Sequence, residues 1–395
     1  MPQKGFKYRI YPNAQQREYL NKCFGHARFV WNTLLHQIED NNKQREDNPN
    51  LPRLGVSGYD FVKRLPVLKA DPETAFLKEV SSVALQQKAL DLGGAFQRFF
   101  DKKLNARFPR YKKRRARQSV RLTGAAFSCK DGALVIAKCA TPLKVKWSRT
   151  LPSEPSSVTL SRDTLGHYYA SFVCEYDPQL TNGDEAIGLD MGLKDFYTDS
   201  NGEKVAPPKY LRHNEAKLKR AQKALSRKVK GSANRNKARL RVAKLHRKIA
   251  NQRLDFLHKL SRTLVNRCKL VVIEDLNVRG MLRNHRLAKS VSDLGWGRFV
   301  DLLIYKASES MQCLVAKIDR WFPSTQTCSV CNHRRSGEAK IKLSQRLWTC
   351  GHCGTDHDRD VNAATNILSE AMRQFDRAPT LLEHSGLVLL KQECA

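Results

Sequence analysis

The chain has 395 residues, which is enough for two or three domains with hydrophobic cores of their own. Its formal net charge of +33 makes the folded chain repel itself and so cannot stabilise the fold. The charge therefore indicates a large anionic partner, and nucleic acid fits better than a membrane surface. No run approaches the roughly 18 apolar residues of a membrane span, and the first residues carry no apolar signal core, so we expect a cytoplasmic protein without a membrane partner.

The N-terminal half is predicted to hold helices between two groups of strands. An alternating strand at 6–11 ends at Pro12, and apolar residues at helical spacing predict a helix over 14–38. A polar stretch at 41–58 is expected to be a loop, and a second helical region covers about 72–104. Beyond residue 119 short strands typical of a small β-barrel or sandwich are predicted at 134–136, 143–147, 157–160 and 168–173.

The C-terminal half is predicted to be built on buried strands that end in acids. A linker at 178–185 leads to an apolar strand at 186–190, and a second apolar strand at 269–273 precedes Glu274. Between these strands the pattern predicts two long antiparallel helices with a basic face. An amphipathic helix, a further strand at 314–318 and the cysteines follow, whereas the tail after about residue 375 has no pattern that predicts structure.

Four cysteines have the spacing of a zinc site. Cys328 and Cys331 form one Cys-x2-Cys pair, and Cys350 and Cys353 form another, with 18 residues between the pairs. Polar turn formers flank both pairs, which argues against buried free thiols, and two matched pairs argue against a redox site. Four thiolates close the coordination shell, so we predict a structural Zn²⁺. Three nearby histidines are interpreted as surface or supporting groups rather than ligands: His333, His352 and His357.

Three acids lie at the ends of buried elements. Asp190 ends one apolar strand, Glu274 follows another, and Asp360 opens an apolar helix. Each alone is better explained as a cap, and a capping role is the interpretation given to Asp358. Together they offer the carboxylate oxygens with which two divalent ions clamp the attacking and leaving oxygens of a phosphodiester. The order strand–Asp, strand–Glu, helix–Asp fits an RNase H-like core.

Two segments concentrate the positive charge. Residues 209–250 hold 16 Lys and Arg against one acid, and the basic segment 108–117 interleaves cations with aromatic side chains. A charge run is usually a solvated face, but this imbalance favours contact with a nucleic-acid backbone. Tyr111 and Phe108 either stack on bases or anchor the segment. The residues predicted to bind nucleic acid are Arg110, Tyr111, Lys112, Lys113, Arg114, Arg115, Lys219, Arg220, Lys223, Arg227, Lys228 and Lys230.

Short motifs along nearly the whole chain match one family. They are YRIYP at 8–12, ARFVWN at 27–32, FPRYK at 108–112, GLDMGLKD at 188–195, EDL at 274–276, SDLGWG at 292–297, FPS at 322–324, the four cysteines, and DRDVNAA at 358–364. With these motifs the chain resembles the TnpB family, RNA-guided DNA endonucleases of insertion sequences and kin of the type V CRISPR effectors. Residues 41–70 and the tail match nothing recognisable in that family.

The resemblance implies a multi-domain α/β fold in which two domains are each interrupted by an insert. A wedge β-barrel is interrupted by a helical recognition insert, and an RNase H-like (RuvC) nuclease core is interrupted by a zinc ribbon. The implied boundaries are 1–13 and 118–180 for the wedge, 14–117 for the recognition insert, 184–319 and 356–375 for the nuclease core with a basic hairpin at 209–265, 320–355 for the zinc-ribbon insert, and 376–395 for a C-terminal tail.

The same resemblance implies an activity and its partners. The family's catalytic acids fall on Asp190, Glu274 and Asp360, which are expected to hold Mg²⁺ or Mn²⁺ and to hydrolyse DNA, leaving 3′-hydroxyl ends. The implied partners are a guide RNA from the element's end and double-stranded target DNA, in a monomeric, nucleoid-associated ribonucleoprotein. A short adjacent DNA motif is read by the N-terminal half, where Gln86 and Gln87 are candidates, although surface glutamines are the simpler interpretation. Residues 290–297 resemble a lid near the catalytic pocket.

Three other functions are compatible with part of the sequence. A DNA-transposing enzyme of the DDE kind would use the same acids on the same scaffold, and would join strands without RNA. A nuclease-dead guided DNA-binding repressor would have lost acids of the triad, whereas all three are present. A zinc-ribbon RNA-binding protein without catalysis leaves the acids at the strand ends unexplained.

Overall fold

The computed structural model describes residues 2–130, 132–178, 183–310, 312–342, 344–378 and 386–389. The chain divides into two compact units, Met1–Asp177 and Pro178–Ala395, and each has hydrophobic cores of its own. Within the described residues no helix is both long enough and apolar enough to cross a membrane.

The first unit combines three helices with one antiparallel sheet. The helices are α1 (Ala14–Asp47), α2 (Gly58–Ala70) and α3 (Ser82–Phe100). The strands are β1 (Gln3–Ile10), β2 (Gln118–Thr123), β3 (Phe127–Lys130), β4 (Ala133–Ile136), β5 (Leu143–Lys146), β6 (Ser157–Arg162) and β7 (Tyr168–Glu175). Their order is β2-β6-β7-β1-β5-β4-β3, which is close to a barrel. The N-terminal strand therefore lies in the middle of the sheet, and the helices are inserted between its first two strands.

Two predictions for this unit need correction. The loop expected at 41–58 is wrong for its first residues, because α1 continues to Asp47. Residues 41–47 are polar but are mostly good helix formers, and without an apolar stripe they gave no periodic signal. The single helical region expected at 72–104 is instead a 3₁₀ helix at Pro72–Glu79, the helix α3, and a short 3₁₀ turn at Lys102–Leu104. Extended backbone at Val80 separates the first two.

The second unit is built on a mixed six-stranded sheet. Its strands are β8 (Glu185–Asp190), β9 (Tyr197–Asp199), β10 (Lys204–Val205), β11 (Cys268–Glu274), β12 (Leu314–Ile318) and β15 (Gly386–Leu389), and a separate hairpin is formed by β13 (Leu347–Thr349) and β14 (Asp356–Asp358). The helices are α4 (Tyr210–Ser226), α5 (Ala233–Arg267), α6 (Val278–Met281), α7 (His285–Leu294), α8 (Trp296–Ser310) and α9 (Arg359–Arg377). The strand order is β10-β9-β8-β11-β12-β15.

Four strands of this sheet run parallel and are covered on both faces. β8, β11, β12 and β15 pair in parallel, whereas β9 and β10 add antiparallel partners at one edge. Val271 and Ile273 of β11 join the core formed with α5 and α8, while Leu270 and Val272 join the core formed with α9. This two-sided burial explains the continuous apolar runs of these strands. Within the C-terminal tail, where no sequence pattern predicts structure, the structure has the strand β15, whose four-residue run is too short for periodicity to predict.

Helix α9 lies unusually close to β8. A Cβ atom at Gly188 would stand 2.1 Å from the carbonyl oxygen of Ala364 and 2.8 Å from the backbone nitrogen of Leu368. Only glycine leaves room for this approach. The helix therefore lies directly over the strand that ends at Asp190, and its first turn comes to the end of that strand.

Candidate functional site

The four predicted cysteines form a compact cluster beside the β13–β14 hairpin. Among the described residues they are the group of metal-binding side chains whose ligand atoms all lie within 4.8 Å of one another. The sulfur atoms of Cys328 and Cys353 are 3.7 Å apart, as are those of Cys331 and Cys350. A tetrahedral zinc ion with Zn–S distances of about 2.3 Å requires sulfur–sulfur edges of about 3.8 Å. The donor set and its spacing therefore fit Zn²⁺.

The histidines near this cluster support it rather than complete it. His357 Nε2 lies 3.1 Å from the sulfur of Cys328, at hydrogen-bonding distance, and its ring stacks on Trp348. His333 and His352 stack on each other with nearly parallel rings. The hydroxyl and backbone N–H of Thr355 lower the pKa of the Cys353 thiol to about 6, which favours the thiolate that zinc binds.

Two of the three acids lie side by side because of strand register. β8 and β11 are parallel neighbours, and Leu189 is paired with Ile273. Asp190 and Glu274 each come one residue later, at the carboxyl ends of adjacent strands. Both side chains are half-buried. In α/β sheets this edge is where polar groups on neighbouring strands converge.

The third acid is delivered by α9. Asp360 lies one turn before Ala364, the residue whose carbonyl touches Gly188 of β8. Asp358 is the N-cap of this helix and accepts hydrogen bonds from the backbone N–H groups of Asp360 and Val361, so its predicted capping role is confirmed. Asp360 itself is buried and does not cap the helix. Its charge acts on Asp190 at the end of β8.

The pKa of Asp190 reflects the charges of the other two acids. Burial raises the pKa of Asp190, and the neighbouring charges of Glu274 and Asp360 raise it further, to about 7. Arg359 and Arg346 oppose this rise. Burial also raises the pKa of Glu274, against the hydrogen bond from Ser324. A buried carboxyl whose pKa is raised by neighbouring negative charge is relieved by a bound cation, so the acids form a candidate cation site.

Two arginines and a serine, none of them predicted, hold these carboxylates. Arg346 Nη1 lies 2.6 Å from Asp360 Oδ2, and Arg359 Nη2 lies 2.8 Å from Oδ1. The Ser324 hydroxyl donates to Glu274 Oε1 at 2.6 Å. The oxygens of the three acids are less tightly grouped than the four sulfurs. Arg346 lies between the cysteine pairs, so no local pattern pointed to its contact with Asp360.

Two asparagines of α9 connect the acids to the first cysteine pair. Asn362 donates to the carbonyl of Thr327 and accepts from the backbone N–H of Ser329. Asn366 donates to the carbonyls of Ser324 and Thr327. The chain that leaves β12 for the cysteines is therefore fixed to the helix that carries Asp360, and the two sites share a structural support.

The basic segment is fixed by its backbone, and its cations remain exposed. The Tyr111 hydroxyl donates to Glu39 at 2.5 Å. This contact supports anchoring, one of the two roles considered for Tyr111 from the sequence. Lys112 lies over the ring of Trp31, and the side chain of Gln118 donates to the carbonyls of residues 113, 114 and 116. Arg110, Lys113, Arg114 and Arg115 are exposed.

The basic hairpin consists of two packed helices, as predicted. Lys219, Arg220, Lys223, Arg227, Lys228 and Lys230 are all exposed. A groove of about 430 Å³ runs between α4 and α5 over Ala221, Ala224 and Leu245. Its cationic lining residues are Lys217, Arg220, Arg241, Lys244 and Lys248, of which only Arg220 was among the predicted contacts. The hairpin is joined to α7 by Asp293, which accepts from the backbone N–H of Leu211 and from Arg253.

Known proteins match most of the chain. Family models described as "Probable transposase", "Cas12f1-like, TNB domain" and "Helix-turn-helix domain" match residues 171–285, 296–367 and 1–47. A Streptomyces pristinaespiralis protein with the provisional name RNA-guided DNA endonuclease is 44% identical over 376 residues, covering 93% of this chain and 89% of the relative. This chain belongs to the TnpB family.

Further comparisons place it within that family and its fold. The Escherichia coli K12 protein provisionally named RNA-guided DNA endonuclease InsQ is 31% identical over 384 residues, covering 93% of this chain and 92% of the relative. A chain in a cryo-EM structure of a Cas12f1–sgRNA–target DNA complex aligns with a TM-score of 0.56 at 11% identity, covering 93% of this chain and 98% of that chain. At such low identity the match shows a shared fold. Residues 3–47 form β1 and one continuous helix in this TnpB-family chain.

Proposed function

We propose that this chain is an RNA-guided DNA endonuclease of a transposable element, and that Asp190, Glu274 and Asp360 form its catalytic centre. The observation that carries the proposal is the convergence of these acids at one sheet edge. Asp360 lies 170 residues after Asp190 and 86 residues after Glu274 in the sequence, yet the charges of Glu274 and Asp360 both raise the pKa of Asp190. The names of the near full-length relatives point to the same activity.

The two sheets and the cysteine cluster support the proposed domain assignment. The strand order of the six-stranded sheet, with antiparallel strands at one edge and parallel strands beyond, supports an RNase H-like (RuvC) core at 184–319 and 356–375. The cysteine cluster supports a zinc-ribbon insert at 320–355. The seven-stranded sheet with helices between its first two strands supports a wedge domain interrupted by a recognition insert at 14–117.

The three carboxylates suit Mg²⁺ or Mn²⁺, whose ligands in proteins are hard oxygens. When bound, such ions would generate a nucleophilic hydroxide from water and stabilise the charge on the leaving 3′-oxygen. Asp190 must lose its proton to act as a ligand. Ser324 fixes one oxygen of Glu274 and leaves the other available. Arg346 and Arg359 must release Asp360, at least in part, before that carboxylate can bind a cation.

Sequence selection belongs to the RNA in this proposal. A guide–target heteroduplex is a polyanion of regular shape, which a protein holds through its backbone. The basic segment and the basic hairpin provide exposed cations for that contact. The partners are a guide RNA transcribed from the element's end and a duplex target beside a short motif, and the particle is a monomeric ribonucleoprotein.

The test begins with the natural particle. The protein is purified from cells that carry its native locus, and the RNA that accompanies it is sequenced. A DNase-resistant RNA with a defined 3′ end, and cleavage of a plasmid library at sites matching that RNA, are expected. Cleavage or strand joining without any RNA would overturn the guided reaction and favour a DDE-type transposase.

A further inference from the structure

Trp321 has a side chain that is largely exposed to solvent. Among the described residues no large hydrophobic side chain is more exposed, since 79% of Trp321 faces water. Trp31, Trp296 and Trp348 are instead buried. Tryptophan is seldom left in water without a partner, because its large apolar surface is costly to hydrate. The exposed indole therefore requires an explanation outside the folding of the unit.

The backbone that carries this indole is well fixed. The N–H of Trp321 donates to Asp319 Oδ1 at 2.7 Å, and the preceding Arg320 pairs with Asp275 at 2.5 Å. On the other side Phe322 packs against the core under α9, and the Ser324 carbonyl accepts from Asn366. The ring is thus presented on an ordered turn, which reduces the entropy cost of binding a partner.

Both ends of this turn lead to Glu274. Ile318, the last residue of β12, is paired with Glu274 in the parallel register. Ser324 donates to the Glu274 carboxylate. Trp321 lies midway between these two contacts, three residues from each. It therefore belongs to the same sheet edge as the three acids and is its exposed aromatic group.

We propose that Trp321 is a stacking platform for one unpaired base of the DNA strand that enters the acid site; this inference rests on the nuclease function proposed above. A phosphodiester can reach a recessed carboxylate site only when its strand is separated from its complement. Stacking on an aromatic ring holds such a strand without selecting its sequence, because every base has a π-face. Trp321 is thus a positioning residue that places the scissile phosphate.

The surroundings favour a base over a protein partner. Protein docking sites need a contiguous apolar surface of several hundred Å². On this turn the neighbours of Trp321 are the charged Asp319 and Arg320, and Ser324 is buried. A single exposed ring among charged groups, on a chain of net charge +33, matches a polyanion that carries flat apolar bases.

Abasic substitution along the target strand tests the contact directly. Single-turnover cleavage is measured with the assembled ribonucleoprotein and targets that lack one base at successive positions near the cut. The wild type is expected to slow by about 5- to 100-fold at one position, and Trp321→Ala to be slow on the intact target yet insensitive to loss of that base. Trp321→Phe should restore most of the rate. Equal abasic profiles for wild type and Trp321→Ala would overturn the proposal.

A control variant and a binding measurement separate positioning from folding. Tyr305→Ala removes another exposed aromatic side chain, on α8, and should cleave at the wild-type rate. In an Asp190→Ala background, Trp321→Ala should bind target DNA as tightly as its parent does. If Trp321→Ala changes the sedimentation of the particle but has the same abasic profile as the wild type, Trp321 contacts protein instead.

A second readout does not depend on cleavage, so it still decides the inference if no guided nuclease activity is found. The intrinsic tryptophan emission of the full-length Asp190→Ala protein is titrated with a thymidine decanucleotide. Stacking on an exposed indole is expected to quench part of the emission, and Trp321→Phe should remove that part. The same quenching in both proteins would show that the oligonucleotide binds elsewhere and would refute the stacking role.

Discussion

The cysteine cluster and the acid triad differ in how they are assembled. The cysteines come from 26 consecutive residues, from Cys328 to Cys353, and their four sulfurs all lie within 4.8 Å of one another. The acids come from Asp190, Glu274 and Asp360 and depend on strand register and on one close helix–strand contact. One site is local and closed, whereas the other is long-range and open.

The occupants of the two sites differ accordingly. The soft thiolates have no competing cationic partner among their described contacts, so the cluster can do little but bind a metal. Asp360 pairs with Arg346 and Arg359, Glu274 accepts from Ser324, and burial with the neighbouring acids raises the pKa of Asp190 to about 7. These contacts suit the permanent structural ion and the exchangeable catalytic ions proposed above for the two sites.

Removing a carboxylate should have the largest effect and tests whether the long-range site is the catalytic one. Asp190→Ala and Glu274→Gln are each expected to reduce target cleavage by at least about 1,000-fold, because the ions that they would hold are needed to activate a phosphodiester. Binding of the guided particle to target should persist. Asp301→Asn, an exposed acid on α8, serves as the control. If either catalytic variant cuts plasmid DNA at the wild-type rate, the triad is misassigned.

Disrupting the local site should act on the long-range site through α9. If the cluster holds zinc, the wild type should contain about one zinc ion per chain by elemental analysis, and Cys331→Ser should lose it and cleave about 100-fold more slowly. The ribbon then no longer holds Thr327 and Ser329, the residues bound by Asn362, so Asp360 is displaced. Cys129→Ser, at an exposed free thiol, should keep both zinc and activity. Full activity in zinc-free Cys331→Ser would show that the two sites are independent.

The same contrast explains what the sequence could predict. The zinc ligands follow from spacing alone, because all of them lie on two short turns. The acids were predicted as strand and helix ends, and the parallel register brings Asp190 and Glu274 together as expected. The contacts of Arg346 and Ser324 could not be predicted, because they depend on how the ribbon folds back on the core.

The errors in the fold have similar local causes. The last turns of helix α1 were predicted as a loop because they are polar on all sides and have no apolar stripe. Strand β15 was missed because four apolar residues are too few for periodicity, and its place is set by pairing with β12. The long apolar runs of β11 and β12 were predicted, whereas the shorter helix α2, which contains Pro66, and strand β15 were not.

Gly188→Ala tests the contact on which the acid triad depends. The added methyl group would overlap the Ala364 carbonyl, so α9 must move away from β8. We expect a loss of about 1–3 kcal/mol in the free energy of unfolding and a roughly tenfold slower cleavage, because Asp360 shifts relative to Asp190. Gly94→Ala in α3 is the matched control: its Cβ would meet only Arg98 Nη1, at 3.5 Å, and the helix should be slightly more stable. Unchanged cleavage in Gly188→Ala would mean that the triad tolerates displacement of α9.

The pKa of Asp190 predicts how stability depends on pH without magnesium. The pKa is about 7 in the folded protein and about 3.9 in an unfolded chain, so ionising Asp190 destabilises the fold as pH rises between these values. Asp190→Asn removes this loss. We expect the variant to exceed the wild type by about 1–3 kcal/mol at pH 8 and by much less at pH 5, in thermal unfolding without chelator so that zinc is retained. A stability difference that does not change with pH would contradict the buried charge repulsion.

The smallest expected effect concerns the basic hairpin, whose exposed cations belong to neither candidate metal site. Lys219→Ala combined with Lys223→Ala removes two exposed cations, so the salt dependence of binding to an RNA–DNA heteroduplex of about 20 base pairs should weaken. The slope of log affinity against log salt should fall in magnitude by about 1.4–1.8 if both residues contact phosphates, with little change in cleavage once the target is bound. Lys340→Ala combined with Lys342→Ala, two exposed ribbon lysines, provides an equal change in net charge. The same reduction in slope for both pairs would show that the hairpin acts only through the overall charge of the chain, and a reduction confined to the first pair would identify the hairpin as the surface that holds the duplex.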